Sequence, residues 1–303
     1  MSKVCAAAIP EFAAAPSWQA RLALCLSRAG GRSALASAQH RGPLRVQRAL
    51  YPEGEAVCHL VILHPPGGIA GGDQLQIQVT LDARAEALLT TPGSGKWYRS
   101  AGRWARQDVN LSVADGAVLE WLPQEAVLFE AAHAAQTLQL DLHGTAACLG
   151  WDIVQLGRVA AGEDWRSGQF RQTLTITRDG RWLWREHTDL RADDPLRASP
   201  LGLDTCPVFA TLWASSPRLS QQAELAMDSL RATLGPHGLH ADAVSSQSLR
   251  VAASYLPAPA DLLLLRVLGH DVEAVRVQLE IAWRVLRPWL NGRAAQAPRI
   301  WST

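Results

Sequence analysis

The chain is poor in several things, and each shortage closes off a class of function. Only two lysines occur, Lys3 and Lys96, and 29 basic residues stand against 28 acidic ones for a formal net charge of +1. No strong field draws it to nucleic acid or an anionic membrane. The arginines are dispersed, without the basic run that follows a phosphate backbone. Five cysteines (Cys5, Cys25, Cys58, Cys148 and Cys206) lie far apart and form no C-x-x-C pair. A thiol redox site, a structural zinc site and a disulfide framework are therefore not expected, and a reducing cytoplasmic setting fits best. Apolar runs such as Leu262 to Leu265 are far too short to span a bilayer. Pro10, Glu11 and Pro16 interrupt the N-terminus where a signal peptide needs a continuous apolar run.

Hydrophobic residues are plentiful: at 48% of 303 positions they can build a large core. Residues 1–17 are rich in Ala and Pro and read as a loose tail, with 18–303 as one continuous domain. The dominant period beyond the tail is two. Apolar and polar residues alternate in Leu44–Arg48, Leu75–Leu81, Leu138–Leu142 and Phe170–Thr177, the mark of strands. Pro65-Pro66-Gly67-Gly68, Asp115-Gly116 and Asp179-Gly180 supply turns between them, the last in the pattern of a tight hairpin. Strand follows strand until about residue 215, which excludes a βαβ architecture and predicts a mainly-β fold. No fixed-period repeat stands out, although a solenoid with irregular coils escapes such a search. Helical spacing appears twice near the C-terminus: at Leu219, Ala223, Ala226, Leu230 and Leu234, and at Val272, Val275, Leu279, Trp283, Leu286 and Leu290. Between these helices, Leu249–Ala253 and Leu262–Val267 read as strands.

Chemistry-bearing patches are few. His64-Pro-Pro-Gly-Gly-Ile-Ala-Gly-Gly-Asp73 lacks the G-x-G-x-x-G spacing and reads as an elaborate turn. Gly93-Ser94-Gly95-Lys96 looks like the end of a P-loop, but Thr90 stands where its first glycine belongs and Trp97 where a Ser or Thr would hold magnesium. Nucleotide hydrolysis is excluded on that ground. Glu125 follows a proline at a strand end, and Asp152 sits inside the apolar run Gly150–Val154. A carboxylate there needs a partner or shifts its pKa. Either it caps a turn or pairs with an arginine such as Arg158, or it is functional. No G-x-S-x-G elbow exists, and His237 and His240 flank a glycine in a loop-like stretch better suited to structure than to ligation. Twelve tryptophans outnumber three tyrosines and four phenylalanines together, mostly as core residues, some as partner anchors.

Taken in order, several patches resemble the UreD (UreH) family of urease accessory proteins. The segment from His64 to Asp73 is similar to its glycine-rich signature, and Thr90–Ser100 to its T-x-P-G-x-x-K-x-Y-R-S segment. Ala36–His40, Glu120–Glu125, Trp151-Asp152 and Pro298–Trp301 follow in the family's order. The resemblance covers about Trp18 to Thr303. It implies a mainly-β, β-helix-like stack of strands with two helices toward the C-terminus, and no catalysis. It implies binding to the urease apoprotein and to UreF, which in turn holds the GTPase UreG, in the service of nickel insertion. No tightly bound cofactor is expected, only transient nickel. Asp73 and Asp152 lie in matching motifs and lead the candidates for a nickel path, with Glu125 next. Glu186 or Asp189 is a looser match. Carboxylates suit a borderline cation, and weak sequential sites release it where a tight one would trap it. Two other readings stay open: a β-solenoid hydrolase or lyase built on paired carboxylates, and a plain interaction module whose acids are structural.

Overall fold

The computed structural model describes residues 18–234 and 249–302. The tail 1–17 and the pair His237/His240 lie outside the described residues. Strands dominate and stack as coils, as expected. The chain opens with an antiparallel pair, β1 (Gln19–Ala29) and β2 (Arg32–Arg41), followed by the short β3 (Arg45–Val46). The coils then run β4 (Val57–Leu63) and β5 (Gly68–Ile69); β6 (Gln74–Leu81), β7 (Glu86–Thr90) and β8 (Gly95–Trp97); β9 (Ala105–Val113), β10 (Val118–Leu122) and β11 (Ala126–Leu128); β12 (His133–Leu142) and the long β13 (Ala147–Leu156). A hairpin, β14 (Gln169–Arg178) and β15 (Arg181–Arg191), precedes β16 (Val208–Ser215). Asp179 and Gly180 make its two-residue turn with φ of 48° and 76°, the left-handed geometry that aspartate and glycine tolerate.

These strands form two facing sheets, of seven and eleven strands. Equivalent strands of successive coils pair in parallel: β1 with β6, β9, β12 and β14 in one sheet, β4 with β7, β10 and β13 in the other. Parallel strands require a crossover, usually a helix. Here the crossover is a strand of the opposite sheet. Coil length changes at every step, as the aligned residues Gln74, Arg106, Ala135 and Arg171 show, so no sequence period survives. The predicted strand at Leu44–Arg48 shrinks to Arg45–Val46, because only those two residues find ladder partners, on β4.

Alternation places Leu22, Ile77, Leu111, Leu140 and Ile176 of the first sheet against Leu60, Leu119 and Leu156 of the second. The second sheet's other face is covered by helices α1 (Pro217–Gln221), α2 (Ala223–Leu234) and α3 (Val272–Asn291), together with β17 (Arg250–Leu256) and β18 (Leu262–Gly269) at its edge. The expected helix from Leu219 to Leu234 is thus two, because Gln222 leaves helical geometry at φ −133°. The α3 stripe Val275, Leu279, Trp283, Leu286 and Leu290 is buried, each large side chain contributing about 2 kcal/mol by burial. Asp271 caps its start by accepting from the Ala274 N–H. Among the described residues Cys58, Cys148 and Cys206 are buried free thiols, and Cys25 is disulfide-bonded. No helix among the described residues is long and apolar enough to cross a membrane.

Candidate functional site: a rift over a cavity between the sheets

The sequence patches converge because the coils stack them. Gly68 and Ile69 pair with Lys96 and Trp97, and Gly95, Lys96 and Trp97 pair in turn with Ala126, Val127 and Leu128. The turns preceding these short strands, 64–67, 91–94 and 123–125, therefore line up across three coils. In each the second sheet breaks and resumes. The neighbouring β13 runs on unbroken, pairing through residues 147–150 with β10 and through 154–156 with β11. Trp151 to Ile153 lie between those two ladders, and Asp152 stands at the gap.

Glycine is needed here for space. A Cβ on Gly68 would lie 2.3 Å from the Tyr98 ring, and one on Gly71 2.6 Å from Ser100. Behind the rift, Trp151 Nε1 donates to the Pro123 carbonyl at 2.8 Å, and Trp301 Nε1 donates to Thr90 Oγ1 at 2.8 Å. Trp301 also packs between Trp151, tilted to it, and Trp283, edge-on to it, with ring centroids 5.7 and 5.6 Å away. The closing motif of the sequence thus braces the patches that precede it.

Under the rift lies a cavity of about 360 Å³. His64, Lys96, Trp121, Glu125 and Asp152 line it from the second sheet. From the first come Leu75, Ile77, Val109 and Leu138, interrupted by Gln107, Gln136 and Gln172.

Two of the four leading carboxylates, Glu125 and Asp152, therefore share one cavity. The Asp152 carboxylate makes no hydrogen bond or ion pair among the described residues, although its backbone lies in the ladder opposite Thr211. Its expected alternative partner, Arg158, is engaged by Glu163. Burial, with a smaller push from the charge of Glu186, lifts the Asp152 carboxyl to about 7. Glu186 does not line the cavity: it sits on the inward face of β15, in register beside Leu174, and pairs with Arg266 at 3.1 Å. Asp73 is buried but does not line the cavity. It closes the glycine-rich turn, its Oδ2 accepting from the Ala70 N–H at 2.9 Å. Its charge reaches His64, whose pKa burial nevertheless lowers. Asp189 belongs elsewhere: it pairs with Arg171 at 3.1 Å, on the opposite face of β15 from Glu186. Among the described residues no group of three or more His, Cys, Asp or Glu is placed to hold a metal ion.

Two features escape a reading of the sequence. One is the row of glutamines, whose inward direction depends on register. The other is a buried network behind the rift. Arg287 of α3 donates to both carboxylate oxygens of Glu120 at 3.0 Å and to both of Glu53 at 2.7 Å. Trp283 Nε1 adds a bond to Glu120, and His59 one to Glu53, both at 2.6 Å. Glu120 thus fastens α3 to the sheet while its neighbour Trp121 faces the cavity. Sequence offers only the oddity of Glu120 within an apolar strand.

Comparison with known proteins agrees with the resemblance read from the motifs. The family model described as UreD urease accessory protein matches residues 19–302. A urease accessory protein UreD from Dechloromonas aromatica is 44% identical over 288 residues, covering 95% of this chain and 96% of the relative. The UreD of Delftia acidovorans is 46% identical, covering 96% of each, and that of a Pseudomonas fluorescens strain 45%, covering 95% and 96%. With the family signature spanning nearly the whole chain and most of its motifs stacked around one rift, this protein belongs to the UreD family of urease accessory proteins.

Proposed function

We propose that this chain serves urease maturation as a non-enzymatic scaffold for nickel insertion. It binds the urease apoprotein and UreF, through which the GTPase UreG joins, and it gives nickel a guarded way across the cavity between its sheets. The observation that carries the reading is Asp152: a carboxylate without a partner among the described residues, its pKa lifted to about 7, in a cavity it shares with Glu125 beneath the rift. Such a group exchanges a proton for a cation at little cost, and a site with few carboxylates lets the ion go again. Glu186, already balanced by Arg266 and outside the cavity lining, would offer the next carboxylate beyond it. Asp73 serves by holding the glycine-rich turn beside His64. GTP chemistry belongs to the partner, since Gly93-Ser94 is a rift turn, Gly95-Lys96 open strand β8, and Trp97 is buried after them.

The test is urease activation in cells that carry the urease genes but lack this one, complemented by wild type or by Asp152→Ala. Nickel per urease is read beside activity. Loss of loading on deletion and its return with wild type are expected. Asp152→Ala should bind UreF and urease normally and still fail to load. Full loading without the gene would overturn the reading, and full rescue by Asp152→Ala would reduce the chain to a plain scaffold.

A further inference from the structure

The inner face of the first sheet is apolar on nearly every rung. One rung pairs Ala105, Ala134 and Phe170; another pairs Val109, Leu138 and Leu174; all six are buried. The rung between them is Gln107, Gln136 and Gln172, in register on β9, β12 and β14, and all three line the cavity. Three amides in a row on an apolar wall are costly unless something solvates them. They do little for one another. Gln172 Nε2 reaches Gln136 Oε1 only at 3.5 Å, and Gln107 makes no side-chain hydrogen bond among the described residues. Their partners must come from the contents of the cavity.

Charge indicates which contents. Asp152 and Glu125 lie on the cavity's other wall and favour a cation. Lys96 is exposed, at the outer lip. The volume of about 360 Å³ holds on the order of ten waters, so an ion can enter with its hydration shell. Water bound to a divalent cation points its hydrogens outward. An amide oxygen accepts them without adding charge, so it guides the ion and does not hold it. We propose that Gln107, Gln136 and Gln172 form a neutral wall that carries a hydrated divalent cation past Asp152 by accepting hydrogen bonds from its bound water, without ligating the metal. This rests on the reading of the cavity as a cation path and adds the state in which the ion crosses it.

The experiment uses the full chain co-expressed with urease and its other accessory proteins, with limiting nickel. Four variants are compared with wild type: Asp152→Asn, Gln107→Leu, the triple Gln107→Leu/Gln136→Leu/Gln172→Leu, and Gln136→Glu. Nickel is measured on purified urease and on the recovered accessory complex. Loss of the accepting wall should cut urease loading roughly tenfold in the triple variant, the worth of one good hydrogen bond or more, with complex recovery unchanged. Gln107→Leu removes an amide that bonds to nothing among the described residues, so it tests the wall even if the triple variant misfolds. Gln136→Glu adds a carboxylate to the cavity and should leave nickel on the accessory complex, a gain that a purely structural role would not produce. Normal loading by Gln107→Leu and the triple variant, with Asp152→Asn defective, would overturn the glutamine wall and leave the path intact. Normal loading by Asp152→Asn as well would remove both.

Discussion

The indole of Trp301 donates to Thr90 Oγ1 over 2.8 Å, and the same hydroxyl donates to the Leu122 carbonyl at 2.6 Å. One side chain near the end of the sequence thereby ties together the ends of two adjacent rift strands. Trp301→Ala removes that bond and the packing on Trp151 and Trp283. It should destabilise the protein by about 3 kcal/mol, less than a fully buried tryptophan because Trp301 is only half-buried. Urea unfolding of the purified protein measures the loss. A change below about 1 kcal/mol would mean the brace is dispensable.

The network behind the rift predicts an acid sensitivity. Burial alone would raise the Glu53 carboxyl. The hydrogen bonds from His59 and Arg287, with the charge of Arg287, outweigh it and hold Glu53 down to about 2. A carboxylate depressed in the folded state adds stability above its ordinary value of 4.5, and that contribution drains away as pH falls from about 4.5 toward 2. Glu120 is not its source, because burial raises that carboxyl against the pull of Arg287. Glu53→Gln should therefore cost about 3 kcal/mol at pH 7 and flatten the fall in stability below pH 4.5. Urea midpoints across that range decide it. A slope as steep in the variant as in wild type would count against the assignment.

Arg287 itself is fully buried between two carboxylates. Arg287→Met leaves Glu53 and Glu120 facing each other without the guanidinium between them, which should cost about 3–5 kcal/mol. Removing both charges with Glu53→Gln and Glu120→Gln in the same chain should recover a large part of it, since the penalty lies in the orphaned charges. A triple variant no more stable than Arg287→Met alone would show that packing of α3, not charge, is at stake.

Much of this was legible in the sequence. The period of two in Leu75–Leu81 and Phe170–Thr177 is that of strands with one buried face, and β6 and β14 bear it out. The Asp179-Gly180 turn and α3 are local, and local rules find them. The pairing of β6 with β9 was not legible, because changing coil lengths hide the register that makes Leu75 and Gln107 neighbours. Without that register Gln107 is one polar residue among many on alternating strands. The same limit applies to the carboxylates. Asp152 is conspicuous among apolar neighbours, but whether Glu186 or Asp189 joins it turns on which face of β15 each occupies.

Close packing at the rift offers a test of how the turns hold one another. Gly68→Ala places a methyl group 2.3 Å from the Tyr98 ring, so the ring or the turn must move. The single variant should lose about 1–3 kcal/mol and weaken nickel loading. Tyr98→Ala opens that space at its own cost. If the clash is the cause, the two changes together should be less harmful than the sum of each, by at least about 1 kcal/mol of coupling. Additive losses would place the damage of Gly68→Ala somewhere other than Tyr98.

Asp152 should show opposite effects on stability and on function. Burial lifts its carboxyl from 3.8 to about 7, so in that interval the folded protein keeps a proton that the unfolded chain has released. Stability therefore falls as pH rises from about 4 to 7 and levels off above, the reverse of the Glu53 case. Asp152→Asn keeps the shape and removes the titration. It should be more stable than wild type at pH 8, by about 1–3 kcal/mol, and no more stable at pH 4. The same variant should fail to load urease with nickel. A residue that costs stability at neutral pH and is needed for metal transfer is what a cation path requires. A variant that gains no stability at pH 8 would mean Asp152 is solvated or paired after all, and the burial cost assigned to its charge would be absent.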